Sequence, residues 1–177
     1  MDAALHISER SANLAARDLA SDLVFQEAEA LDGQDWTGWL ALYREDAEFC
    51  MPAWLDEDQH TSDPKTQVSL IYHEMRWELE ERVYRLKSRK SVTAMPLPRT
   101  VHVIGGLRVT EYSEYQLQVR SNATVHVYDP RTADHYIAAV KYSHSYSRKG
   151  DGPWLIARKH IVLINDRMPS VVDFYTV

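Results

Sequence analysis

The sequence predicts an α+β fold in which N-terminal helices pack on a strongly curved, mostly antiparallel sheet. Two observations carry that reading. Through the first half of the chain apolar residues recur at helical spacing, most clearly at Met75, Leu79, Val83 and Leu86. From Arg99 onward the period drops to two, over four long segments separated by turn-like stretches. Helices first and a bent sheet afterwards give a cone whose concave side the helices cover.

The first helix is expected over residues 11–32, where Leu19, Leu23, Glu27 and Ala30 form a broken stripe with Val24, Ala28 and Leu31 beside it. Gly33 supplies its stop, and residues 1–12 are read as a flexible N-terminal segment. Asp35 is placed to cap a short second helix bearing Trp36, Trp39, Leu40 and Tyr43. A strand follows in "AEFCMPA" at residues 47–53, which Pro52 ends or pushes to a sheet edge. Residues 54–67 are acidic and polar and contain a proline, so they read as a long surface loop. "VSLIY" is a short strand, residues 74–87 are an amphipathic helix, and residues 88–98 are a second loop. In the first long strand Gly105-Gly106 marks a bulge or bend. In the second, Val119, Ala123, Val125 and Val127 alternate with polar neighbours. "DPRTAD" and "RKGDG" are the later turns.

The 177 residues make one domain, 1–177, with 45% hydrophobic and 26% charged residues. A net charge of −6 disfavours a binder of nucleic-acid backbones. The dense basic run "RVYRLKSRK" (Arg82 to Lys90) reads as the solvated or partner-facing side of a helix end. Cys50 is the single cysteine, which excludes an intrachain disulfide and any cysteine-rich zinc or iron–sulfur site in this chain. The N-terminus lacks the apolar core of a signal peptide, and no run approaches the roughly 18 apolar residues of a membrane span. A cytoplasmic protein is expected.

Eight histidines raise the question of a metal, but neither a paired-histidine helix motif nor HExxH occurs, so no metal ligand is assigned. GxSxG and GxGxxG are absent as well. Acid–base chemistry has more substance. Tyr136, Tyr142, His144 and Tyr146 share one face of the third long strand, and a cone lined by Tyr, His and Asp could run an isomerase or dehydratase reaction. The competing account is that these rings pack and offer hydroxyls to a boundary. No catalytic or cofactor-binding residue is assigned.

This layout is similar to that of nuclear-transport-factor-2-like (cystatin-like) folds. The ordered set Leu31-Asp32, Trp36, Trp39-Leu40, Leu42-Tyr43, Asp46-Ala47 and "MPAW" (Met51 to Trp54) goes further. With "SLIY", "ERVYRL", "PRTVH" and "WLIARKHIVL" it resembles the small (β) subunit of aromatic-ring-hydroxylating dioxygenases, over roughly residues 20–165. The segment from "MPAW" to "SLIY" is most similar to the benzoate, anthranilate and halobenzoate type. The resemblance implies a non-catalytic subunit of a multicomponent oxidoreductase. Its α partner would carry a Rieske 2Fe-2S cluster and mononuclear Fe(II), supplied by NAD(P)H through a separate reductase. An α3β3 hexamer with β–β contacts is implied, acting on an aromatic carboxylate. Met51, Pro52, Trp54, Tyr72, Arg82, Arg85 and Arg99 are the candidate interface residues, because aromatic, Met and Arg side chains concentrate at interfaces. The three arginines are expected to form ion pairs at subunit contacts. The alternatives are a free-standing cone isomerase or dehydratase, and a module that binds a small molecule without chemistry.

Overall fold

The computed structural model describes residues 2–88 and 95–177, with side chains from residue 13 onward. Helix α1 (Asp2–Asp32) leads into the six-residue helix α2 (Trp36–Ala41). Strands β1 (Tyr43–Pro52) and β2 (Ser69–His73) precede helix α3 (Arg76–Lys87). Strands β3 (Arg99–Tyr112), β4 (Gln116–Asp129), β5 (Asp134–Ser147) and β6 (Leu155–Leu163) complete the helices and strands among the described residues. All six strands form one sheet in the order β2-β1-β6-β5-β4-β3. Only the β1–β6 contact is parallel; the other four are antiparallel.

Helix α1 starts nine residues earlier than the apolar pattern suggests, running through the segment read as flexible. Its buried line is Ala16, Ala20, Val24, Ala28 and Leu31, one position beside the expected stripe, whose Leu19 and Leu23 are only partly buried. Small side chains at three of these places let the helix lie close to the sheet. The helix ends at Asp32, and Gln34 rather than Gly33 takes the left-handed conformation (φ 54°). Asp35 caps α2 as expected, its Oδ1 accepting the Gly38 amide at 2.9 Å. A Cβ at position 38 would stand 2.2 Å from Asp35 Oδ2, so glycine keeps the cap open.

Tyr43 belongs to β1, not to the second helix, because the chain turns into the sheet once the Ile156 amide binds the Leu42 carbonyl. β1 lies inside the sheet, and Pro52 closes it beside a register shift at Met51/Pro52. Met75, expected in the apolar stripe of α3, caps it instead and is 41% exposed, while Leu79 and Val83 are buried. The β3 register breaks between Gly105 and Arg108, as the glycine pair predicts. Gly106 has φ +61°, and a Cβ there would meet Asn122 Nδ2 at 2.8 Å. Most of the second loop, residues 89–94, and the last two residues of the basic run lie outside the described residues.

One packing element has no counterpart in the strand and helix pattern. After β6 the chain returns to the helices, where Phe174, Tyr175 and Val177 are buried. Phe174 stacks on Trp39 with ring centroids 4.4 Å apart and meets Trp36 edge-on at 5.6 Å. Asp173 anchors this segment by accepting a hydrogen bond from Arg82 at 2.8 Å.

Candidate functional site

The inner face of the sheet is where a cone enzyme would hold its substrate. Here it is filled by the protein's own polar network. Glu27, on the buried line of α1, is 2% exposed and accepts four hydrogen bonds. Trp39 Nε1 (3.3 Å), Tyr43 OH (2.5 Å) and Lys159 Nζ (2.9 Å) donate to its Oε1, and His144 Nε2 (2.9 Å) to Oε2. Lys159 is 1% exposed, and its ammonium also lies 4.7 Å from the Tyr142 ring centre. Burial alone would push the Glu27 carboxyl up, but the charge of Lys159 and the bond from His144 outweigh it and hold the group far below the usual carboxylate range. Burial lowers the His144 pKa despite Glu27, so the imidazole is neutral and spends its single proton on that carboxylate. Burial, and then the negative charge of Glu27, push the Tyr43 hydroxyl well above its ordinary value, as a permanent donor.

The sequence expectation that Tyr136, Tyr142, His144 and Tyr146 share a face holds, with His144 stacked on Tyr146 at 5.5 Å. What the strand pattern does not convey is closure. The space bordered by Val24, Glu27, Leu31, His102, Tyr142 and Lys159 leaves no room for a water molecule. Tyr142 OH, Tyr146 OH and His144 Nδ1 are buried without a hydrogen-bond partner among the described residues.

A second polar pair clamps α1 to the edge strand β3. Asp32 accepts from Thr100 Oγ1 (2.8 Å), the His102 amide (2.8 Å) and His102 Nδ1 (2.6 Å). Burial raises the Asp32 carboxyl, but the two His102 bonds win and its pKa is lowered. His102, His126, His144 and His160 do not converge. His102 and His144 point inward, whereas His126 pairs with His135 on the outer face and His160 lies near His60. Among the described residues no three His, Cys, Asp or Glu side chains are grouped to hold a metal ion.

Glu27 and Lys159 escaped the sequence reading as a pair, although both carried a signal. Glu27 interrupts an apolar helical stripe, and Lys159 shares the inward parity of Ile161 and Leu163. The interface candidates scatter. Met51 and Pro52 are buried inside this chain, because β1 is a central strand, and offer no surface to a partner. Arg82 is committed internally, to His73 Nε2 at 2.7 Å and to Asp173. Tyr72 is half-buried and donates to Glu74 at 3.0 Å. Trp54 is 36% exposed while its indole N–H binds the Leu163 carbonyl at 2.7 Å. Arg85 and Arg99 are exposed.

The family model for the ring hydroxylating beta subunit matches residues 26–170. The chain belongs to this family. The beta subunit is 39% identical over 154 residues to the small subunit of 2-halobenzoate 1,2-dioxygenase from Burkholderia cepacia, covering 87% of this chain and 92% of that one. The solved beta subunit of benzoate 1,2-dioxygenase from Burkholderia mallei superposes with a TM-score of 0.69 at 31% identity, over 89% of this chain and 94% of that one. A naphthalene 1,2-dioxygenase structure shares the fold alone, with a TM-score of 0.73 at 16% identity over 97% of this chain and 93% of that one. As a beta subunit of a multi-subunit dioxygenase, the chain is the structural component of an oxidoreductase, and a catalytic partner subunit is implied. No helix among the described residues is long and apolar enough to cross a membrane.

The buried groups of this beta subunit make its stability depend on pH in two stages. Burial, the first cause in each case, lowers the pKa of His144, His73 and His160 below the ordinary 6.5. Their contribution is complete above that value and is lost as the pH falls through it, since the unfolded chain then binds more protons. Glu27 and Asp32 are lowered from 4.5 and 3.8, so their contribution is lost only below those values. Urea midpoints measured from pH 8 to pH 3.5 should therefore fall first near 6.5 and again below 4.5. A flat profile between pH 8 and pH 5 would contradict neutral buried histidines.

Proposed function

We propose that this beta subunit supports the catalytic α subunit of a Rieske non-haem iron dioxygenase acting on an aromatic carboxylate such as benzoate or anthranilate. The assembly is an α3β3 hexamer with β–β contacts in the cytoplasm. The observation that carries the structural role is the filled interior: the Glu27 carboxylate already has four donors, and the space it shares with His102, Tyr142 and Lys159 leaves no room for a water molecule. The substrate class rests on the 2-halobenzoate and benzoate dioxygenases to which the chain is similar. A Rieske cluster needs two cysteines and two histidines. The chain has one cysteine, Cys50, and it is buried, so its residues do not fit that group and the cluster belongs to the partner. The mononuclear iron is assigned to the partner too, with electrons from NAD(P)H arriving through a separate reductase.

Coexpression with the larger subunit tests this reading. Copurification of the two chains in equal numbers, with turnover of benzoate-type acids, is expected. A larger subunit that is fully stable and active without this chain would overturn it.

The Asp32–His102 pair is the observation that favours a cone isomerase or dehydratase, since a carboxylate there orients an imidazole whose buried Nε2 has no hydrogen-bond partner among the described residues. Substitution separates the readings. Tyr142→Phe removes a buried hydroxyl that has no partner among the described residues, so stability should change by no more than about 1 kcal/mol, with a gain as the favoured direction. His102→Gln and Tyr142→Phe complexes should both turn over at wild-type rates once assembly is verified. Loss of a general acid or base instead removes about 10²–10⁴-fold of rate.

A further inference from the structure

Strand pairing fails at one level of the sheet, and a cavity opens there. Tyr43 pairs with Ile156 and Glu48 with Arg158, so residues 44–47 of β1 face the single residue Ala157 of β6. On its other side β6 passes over the same Ala157, since Ser145 pairs with Arg158 and Tyr146 with Ile156. Two bulges that share one residue thus splay the ends of three inner strands. Bulges re-aim side chains and are over-represented beside functional sites. Between the displaced segment of β1, the start of α3 and the β5–β6 turn lies a cavity of about 640 Å³, a size that holds a small organic molecule.

Four cations line it, Arg44, Arg76, Arg148 and Lys149, against two acids, Glu45 and Asp46. This surplus stands in a chain whose acids outnumber its Lys and Arg by six. Arg44 binds both oxygens of Asp46, at 2.7 and 2.6 Å, which cancels one charge of each sign, and donates to Ser147 Oγ at 2.7 Å. Arg76 is tied to the Tyr43 carbonyl at 3.1 Å and to Glu80 at 3.0 Å. Arg148 is ordered without losing its charge: its Nε donates to the Glu114 carbonyl at 2.6 Å, and its guanidinium lies 5.0 Å from the Trp154 ring centre. Among the described residues no carboxylate is within ion-pair distance of Arg148 or of the exposed Lys149. Met75, Pro153 and Leu155 add apolar wall.

We propose that this cavity binds a small organic anion, a carboxylate on an apolar body, with Arg148 and Lys149 as its charge partners. A guanidinium already held by a neutral acceptor loses little freedom when a carboxylate arrives. The apolar wall favours a ligand with a body to bury over a bare inorganic anion. The small charge surplus suits one carboxylate and not a polyphosphate. The cavity belongs to this chain alone, so the proposal does not depend on the beta-subunit reading.

Amide shifts of the isotope-labelled full chain, titrated with benzoate, provide the test. Benzoate should bind with a Kd below about 1 mM, moving the amides of Lys149, Gly152 and Leu155. Benzamide has the same shape without the charge, and should bind at least about tenfold more weakly. Lys149→Glu, at an exposed position, should weaken benzoate by a similar factor. Met75→Asp puts a carboxylate on the wall at the N-cap of α3, where aspartate is favoured, so the helix should persist while benzoate binding falls. Shifts that never saturate, or that lie away from the cavity, overturn the proposal. So do folded variants that bind benzoate as tightly as wild type. Inorganic phosphate binding as tightly as benzoate would overturn it too, by showing that the apolar wall contributes nothing.

Discussion

Replacing Lys159 by methionine is expected to destabilise the folded chain by about 3–5 kcal/mol, the cost of leaving one member of a buried ion pair without its partner. Lys159 and Glu27 are both fully enclosed and joined at 2.9 Å. Without the ammonium, the carboxylate keeps only the uncharged donors Trp39, Tyr43 and His144, and must either remain a buried anion or take up a proton. The double variant Glu27→Met/Lys159→Met should recover most of the loss, because two apolar side chains need no solvation. Urea midpoints of the single and double variants measure both claims. A Lys159→Met midpoint equal to that of wild type would mean that water reaches the pair.

Trp39→Ala should cost a similar amount, about 3–5 kcal/mol, through the cavity it leaves. The indole is 0% exposed, stacks on Phe174, and meets Tyr43 and Phe49 edge-on at 5.0 and 6.5 Å. It also donates the longest of the four bonds to Glu27, at 3.3 Å. Trp39→Phe retains most of the ring packing and should cost far less, near 1 kcal/mol for the lost bond plus the smaller volume. Equal losses for alanine and phenylalanine would show that the hydrogen bond, not the packing, is what matters at this position.

Long-period patterns told most of the fold in advance. The alternation of β4 from Leu117 to Val127 names its buried face outright, and the glycine pair of β3 marks its register break. Local signals were less decisive where tertiary contacts compete. Tyr43 reads as the end of a helix until the sheet claims it, and Met51 reads as a surface anchor until β1 proves to be a central strand. The polar network was the hardest part to see. Its members come from α1, α2, β1, β5 and β6, and no motif links residues that meet only through folding. A carboxylate in an apolar helical stripe and an ammonium at an inward strand position were each visible. Their pairing was not.

The Glu27–Lys159 contact spans 132 residues, and the parallel partner of β1 is the last strand made. Contacts so distant along the chain bear a large loop-closure cost before they stabilise anything, which slows folding. At roughly 5–20 residues per second of synthesis, helix α1 waits about 7–26 s for its cation. Throughout that interval the Glu27 carboxylate has no cation beside it, and an unpaired charge is costly to bury. The ion pair thus ties the dry packing of α1 to the arrival of the final strand.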